Sequence, residues 1–375
     1  MKESNILIPF LVVFGGNSHK HSFRDIAFCA KNSQTISELN TNQCIKFIFL
    51  NYDYKNNIEN LTSKNHSCLN FPESVIFERE NEISIQEIEN FFQTNYSDFS
   101  VNLVPSVSKE EYIENVNRLK NHIRKGNIYE INYCISFEAK NAFINPYLIY
   151  KKLNQISQAP FSAFVKMQDK FIMCASPELF LKKRGKNLIT QPIKGTARRS
   201  TNFQEDEQIK NELKNSLKER TENVMIVDVA RNDLSRIAQK GTVTVEKLYE
   251  IESYQQVHQM VSTVSCELKE ETSFKDIIHA TFPMASMTGA PKIRAMELID
   301  EFETHNRGPF SGCVGYIDEN GDFDLNVLIR SIFYNEKEKY LSFSVGSAIT
   351  HLCEPEKEYE ECLLKASALI KSLQE

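Results

Sequence analysis

The sequence predicts an α+β protein with antiparallel-rich sheets flanked by helices, and three observations predict it. Strand-like runs follow one another across short turns, as in Phe161 to Cys174, Leu179 to Lys183, and the pair Ser311 to Asp318 and Asp324 to Tyr334 around Asn320-Gly321. Amphipathic helical spacing is concentrated in a few long stretches. The composition, 41% hydrophobic and 25% charged over 375 residues, can bury a sizeable core. Adjacent strands across short turns argue for antiparallel pairing and against a doubly wound parallel sheet.

Taken in order, Ile6 to Phe14 and Ile45 to Tyr54 read as strands, being β-branched and aromatic-rich runs ended by Gly or Asn. The Asn-, Ser- and Glu-rich segments around them, including Lys55 to Leu69, read as loops and short surface helices. Ser108 with Glu111 suggests a capping box, and Tyr112, Val116, Leu119 and Ile123 recur at helical spacing until Gly126. Ile128 to Phe137 reads as a strand, Glu205 to about Ala230 as one long helix, and Thr242 to Tyr249 as a strand. Gly289-Ala290-Pro291 opens a further helix, proline suiting a first helical position. Leu341 to Ile349 is a strand, and a helix after Pro355 follows.

The net charge of -6, without a basic block, points away from nucleic acid. No apolar run is long enough to cross a bilayer, and Met1 to Phe14 reads as a strand rather than a signal peptide. Nine scattered cysteines without a Cys-x-x-Cys pair suggest reduced thiols and a cytoplasmic location.

Several constellations can carry chemistry, each with a plainer alternative. Gln191-Pro192-Ile193-Lys194-Gly195-Thr196 holds a lysine between a stiff proline-isoleucine pair and a glycine turn. It is either a solvated turn or a nucleophile whose pKa is lowered by burial or a nearby cation. Glu358, Glu361 and Lys365 share one helical stripe, either a solvated face or two carboxylates for a hard dication beside an ammonium for an anion. Glu222 precedes an apolar run, where a charge needs a partner or a metal. Glu178, after Ser176-Pro177, is either a turn carboxylate or a partly buried general acid. His258, among apolar neighbours, reads more simply as a satisfied core histidine. The stretch from Phe282 to Lys292, with Ser286 in it, leads into a helix N-terminus suited to a carboxylate or phosphate. Arg330 and Gly346-Ser347 are further anion candidates.

In order along the chain, Ser176-Pro177-Glu178, Pro192-Ile193-Lys194-Gly195-Thr196, the run Val227 to Leu234, His258, Gly289-Ala290-Pro291-Lys292, Arg330 and Glu358-Tyr359-Glu360-Glu361 resemble the chorismate-utilising enzymes. The resemblance covers about Ser108 to the end. It implies the chorismate-binding fold, two antiparallel-rich sheets packed together with helices outside. Residues 1–107 would be a shortened N-terminal part and 108–375 the catalytic region, in one compact unit. Lys194 resembles the aminodeoxychorismate synthase branch, which aminates chorismate at C4 for para-aminobenzoate and folate; anthranilate synthases usually carry alanine there.

The resemblance implies Mg²⁺ on the ring carboxylate held by Glu222, Glu358 and Glu361, with Lys365 helping at that end. Arg330 and the Gly346 backbone would take the enolpyruvyl carboxylate, with Ser286 a nearby hydroxyl contact. Glu178 would protonate the departing hydroxyl, Lys194 would attack C2, and His258 would lie near the reacting edge of the ring. Ammonia is expected from a separate glutamine amidotransferase subunit, and a separate lyase would finish para-aminobenzoate. The alternatives are an anthranilate synthase component, an isochorismate synthase, and a silent chorismate-binding subunit. Three features depart from the family pattern: Glu130 where glutamine is frequent, Gly346-Ser347-Ala348-Ile349-Thr350 in place of Gly-Ala-Gly-Ile-Val, and a poorly matching first hundred residues.

Overall fold

The computed structural model describes residues 9–15, 23, 26–34, 36, 39, 44–96, 99–254 and 257–374. The first third supplies β1 (Phe10–Gly15), β2 (Ile26–Gln34), β3 (Lys46–Leu50), β4 (Ser74–Glu82), α1 (Ile85–Asn95) and β5 (Val104–Pro105). Then come α2 (Lys109–Arg124), β6 (Glu130–Ala139), α3 (Pro146–Ser157), β7 (Phe161–Met167), β8 (Lys170–Ser176), β9 (Leu179–Arg184), β10 (Asn187–Gln191) and β11 (Ile193–Arg198). The middle holds α4 (Phe203–Asn215), α5 (Leu217–Ser235), β12 (Thr244–Ser253), β13 (Val257–Glu267), α6 (Phe274–Thr281), β14 (Gly289–Ala290) and α7 (Lys292–Phe302). The chain ends with β15 (Cys313–Ile317), β16 (Phe323–Asn326), β17 (Ser331–Asn335), β18 (Tyr340–Ile349) and α8 (Pro355–Ser372).

The expected strands and helices recur with local differences. The expected strand at Ile6 begins at Phe10 among the described residues, and the one from Ile45 stops at Leu50. There the Asn51 side chain accepts a hydrogen bond from the Asp53 amide and starts a 3-10 turn, Tyr52–Asn57. Strands β2 and β4 lie where loops and short helices were expected. Each has an apolar run near its start that suits a strand, Ile26 to Phe28 and Val75 to Phe77, and pairing with each other and with β1 and β3 carries the strand on into polar residues. The long helix from Glu205 is two helices, since Ser216 is extended and caps α5 by accepting from the Glu219 amide. Ser108 caps α2, but only its half of the box is formed; reciprocal capping boxes stand at Ser84–Glu87 and Ser273–Asp276.

Among the described residues every strand pairing is antiparallel, and the ladders run into one another as a single sheet instead of two separate ones. From β6 the order is β18, β17, β8, β7, β1, β2, β4, β3, β15, β16, β9, β10 and β13, with β11 and β12 both on β13. Alternate residues of each strand face opposite sides. Val12, Val165 and Ile172 face a core shared with Val227 and Ala230 of α5 and with Ile277 of α6. Leu11, Phe164 and Phe171 face a second core roofed by α1, α2, α3, α7 and α8. With both faces covered, the central strands read as continuous apolar runs. The sheet folds over on itself, so that β6 and β11, far apart along the ladder, meet.

A buried ion pair fastens the β6 end. Arg307 donates to both oxygens of Glu303, at 2.6 and 2.9 Å, and to the carbonyls of Asn132 and Met287 at 2.8 and 2.7 Å. Glu303 also accepts from the Cys134 amide at 3.0 Å. Removing one partner of such a pair leaves an uncompensated buried charge. Arg307→Ala should destabilise the fold by about 3–5 kcal/mol in urea denaturation. A loss of less than about 1 kcal/mol would show that Glu303 finds another partner.

Candidate active site

The site forms where the two ends of the ladder meet. Lys194 is on β11, a strand, which rules out the plainer alternative of a solvated turn. The register with β13 shifts between Ile193 and Thr196, and Gly195 takes φ +85° within this bulge. A Cβ on Gly195 would lie 2.8 Å from Glu219 Oε2, so glycine suits this position twice over. The bulge turns Lys194 inward, where its Nζ donates to Glu130 Oε1 of β6 at 2.7 Å. Both residues are buried, and Glu130 Oε2 has no hydrogen-bond partner. Burial pulls the Lys194 pKa down, but Glu130, Glu222 and Glu178 together lift it above the ordinary lysine value. The lowered pKa expected for a nucleophile is therefore not the resting state; neighbouring carboxylates outweigh burial.

Glu178 lines the same pocket, in the turn between β8 and β9. Its amide donates to Ser176 Oγ at 3.2 Å, which fixes the turn. Burial pushes its carboxyl up to about 7, with Ser286 and Lys194 moderating the rise. Ser286 Oγ stands beside it without completing a well-formed hydrogen bond. A carboxyl so poised can give up a proton near neutral pH.

Cations gather on another wall. Arg330 precedes β17 with φ +51°, an uncommon backbone state for a residue with a side chain. Burial draws its guanidinium down to about 10, and Glu361 opposes that only in part. Arg330 Nη1 donates to the Lys365 carbonyl at 3.1 Å. Lys365 Nζ donates to the Gly346 carbonyl at 2.8 Å and pairs with Glu361 at 2.7 Å. A Cβ on Gly346 would run into Cys134 Sγ and the Tyr133 carbonyl, because β18 lies against β6 there.

The acids come from two helices. Glu358 and Glu361 share one stripe of α8, whose Pro355 opens the helix, and Glu222 faces them from α5. Among the described residues no three His, Cys, Asp or Glu side chains are close enough to hold a metal as they stand. The three glutamates surround the Lys218 ammonium instead, at 2.7 Å from Glu358, 3.9 Å from Glu222 and 3.9 Å from Glu361. Glu222 Oε1 and Glu358 Oε2 are buried without hydrogen-bond partners. Three convergent carboxylates with unused oxygens around a cation are a donor set that fits Mg²⁺. Burial raises Glu222 to about 8 and lifts Glu358 above its usual range, the lysines limiting both. Burial also lifts Glu361, but Lys365 and Lys218 outweigh it and hold this carboxyl low.

Two sequence expectations fall away from the pocket. His258 is buried on β13 with Nε2 3.0 Å from Asp206 and Nδ1 2.8 Å from Ser253, and its neighbour Gln259 lines the pocket in its place. The helix start after Pro291 is likewise not on the pocket wall. Lys292 there bonds Asp233 at 2.5 Å and the carbonyls of Thr281 and Pro283.

The description "chorismate binding enzyme" matches residues 17–371. The chain belongs to the chorismate-binding enzyme family. It is 38% identical over 267 residues to the aminodeoxychorismate synthase component 1 of Bacillus subtilis (strain 168), covering 71% of this chain and 56% of that protein. It is 37% identical over 274 residues to the anthranilate synthase component 1 of Acetivibrio thermocellus, covering 72% and 54%. The match thus spans about half the length of these curated relatives. The anthranilate synthase component I structure from Streptococcus pneumoniae TIGR4 superposes with TM-score 0.76 at 23% identity, covering 100% of this chain and 94% of that one.

Within this family frame, Lys194, Glu178, Ser286, Arg330, Gly346, Lys365, Glu222 and Glu361 all line one pocket, and Glu358 joins Glu222 and Glu361 around Lys218. Sequence reasoning missed Lys218, although its i,i+4 spacing to Glu222 was readable. It noted Glu130 without seeing the ion pair with Lys194, a contact between residues 64 apart that no local pattern encodes. The raised Glu178 pKa predicts a carboxyl that stays largely protonated to near pH 7, above the ordinary value of about 4.3. Carbon-13 NMR of labelled glutamates should show, besides Glu222 titrating near pH 8, a resonance titrating near pH 7 that disappears in Glu178→Gln. A Glu178 resonance titrating below pH 5 would contradict this.

Proposed function

We propose that this chain is the chorismate-aminating component of an aminodeoxychorismate synthase. It would convert chorismate and ammonia to 4-amino-4-deoxychorismate and water, a precursor of para-aminobenzoate and folate. The observation carrying this reading is Lys194, held on a strand bulge in the same pocket as the near-neutral acid Glu178. The similarity to aminodeoxychorismate synthase components supports it.

The dianionic substrate would be held at its two carboxylates. Arg330 and the Gly346 strand would take the enolpyruvyl carboxylate, with Lys365 near the ring carboxylate. Mg²⁺ bound by Glu222, Glu358 and Glu361 would offset the negative charge of the ring carboxylate. Lys194 passes its proton to Glu130, already its partner at 2.7 Å. The neutral amine bonds to C2, the ring double bonds shift, and the C4–O bond breaks as Glu178 protonates the departing hydroxyl to water. Ammonia then bonds to C4, the double bonds shift back, and the C2–N bond breaks. The new C4 ammonium returns a proton to Glu178, and Glu130 returns one to Lys194. His258 has no direct part in this scheme; it positions the β12–β13 hairpin against Asp206.

Ammonia would come from a separate glutamine amidotransferase subunit and the product would pass to a separate lyase, all in the cytoplasm. Among the described residues no helix is long and apolar enough to cross a membrane.

Purified protein with chorismate, Mg²⁺ and an ammonium salt should give aminodeoxychorismate by mass spectrometry. Glu178→Gln should lower kcat by about 10²–10⁴, and Lys194→Ala should abolish product. Anthranilate or isochorismate as product would overturn the assignment, and full activity of Lys194→Ala would overturn the nucleophile.

A further inference from the structure

The Lys218 ammonium stands among the three glutamates that would hold the metal, and it has no part in the proposed reaction. Its Nζ is 2.7 Å from Glu358 Oε1, 3.9 Å from Glu222 Oε1 and 3.9 Å from Glu361 Oε2. Glu222 and Glu358 are almost wholly buried, so their carboxylates repel one another unless a cation lies between them. Lys365 already answers Glu361 from the other side at 2.7 Å and is anchored on the Gly346 carbonyl. Lys194 and Lys365 also act on this cluster, but Lys218 is the ammonium that lies 3.9 Å or less from all three acids.

We propose that Lys218 is a built-in counter-cation holding the metal position of the metal-free protein, and that a divalent ion enters by displacing it. This inference rests on the assignment of Glu222, Glu358 and Glu361 as metal ligands. Three features carry it. The ammonium sits at the point of convergence, so it and a dication would repel at close range. The acids around it are not yet close enough together to hold a metal, as expected of a cluster spaced by an ammonium. Lys218 is on the first turn of α5 with its side chain 35% exposed, so its flexible stem can swing the charge into water without moving the helix. As it leaves, Glu358 Oε1 loses its partner, and Glu222 Oε1 and Glu358 Oε2 already lack one. The incoming ion would satisfy all three oxygens. Metal binding in this chain is then an exchange of one cation for another, and Lys218 sets its affinity.

The test is Mn²⁺ binding to the full chain without substrate, followed by electron paramagnetic resonance of the free ion. Lys218→Gln should bind Mn²⁺ at least about tenfold more tightly than the unaltered protein, since the competing charge is gone. Its metal-free form should melt at a lower temperature, with Mn²⁺ restoring the difference. Lys218→Arg keeps a cation and should stay near the unaltered affinity. Should metal-free Lys218→Gln fail to fold, the variant purified with Mn²⁺ should release the ion to a chelator more slowly than the unaltered protein. Equal or weaker binding by Lys218→Gln, or equal or faster release, overturns the displacement. Glu358→Gln separates the two claims. If it leaves Mn²⁺ affinity unchanged, the ligand assignment itself falls. If it weakens binding while Lys218→Gln changes nothing, the ligands stand and the exchange falls.

Discussion

The rest of the structure depends on the buried contact between Lys194 and Glu130. These residues stand far apart along one hydrogen-bonded ladder, and their 2.7 Å pair lies where the folded sheet meets itself. Neither charge would be tolerable there alone, because desolvating an unpaired ion costs several kcal/mol. The pair therefore ties the geometry of β11 to that of β6. Arg307 and Glu303 extend the constraint by fixing the Asn132 and Met287 carbonyls beside it. The catalytic lysine of the proposed reaction is thus held by strands that close the fold, not by a loop that could move independently.

Around that contact the pocket interleaves cations and carboxylates. Arg330 stands before β17, Lys365 pairs with Glu361 within the α5–α8 acid cluster, and Glu178 lies in an environment that favours its neutral form. A substrate with two carboxylates and a poor leaving group needs these separate provisions: a fixed cation, an acid cluster that can take a metal, and a proton donor that is not also a standing charge. Each depends on a different element, the turn between β8 and β9, the residue before β17, α5 and α8, so the site is as rigid as their packing.

Much of this was legible in the sequence where chemistry is local. The helix spacing of Glu358, Glu361 and Lys365 follows from one α-helical stripe, and the proline and glycine flanking Lys194 announced an unusual backbone. What was not legible is what depends on partners distant in sequence. The polar second halves of β2 and β4 take their form from neighbours, and a lone capping serine at 216 divides what reads as one helix. His258 shows the reverse. A motif match suggested proximity to the chemistry, whereas strand alternation turned its ring to Asp206 and left Gln259 facing the pocket.

The protonation of Lys194 joins these threads. Burial alone would free the amine for attack, yet three carboxylates keep it cationic at rest. A dianionic substrate entering beside it would hold that proton more firmly still, unless a base in contact accepts it. Glu130 is in contact, wholly buried, and has one oxygen without a partner. A glutamine at this position could accept a hydrogen bond but not a proton.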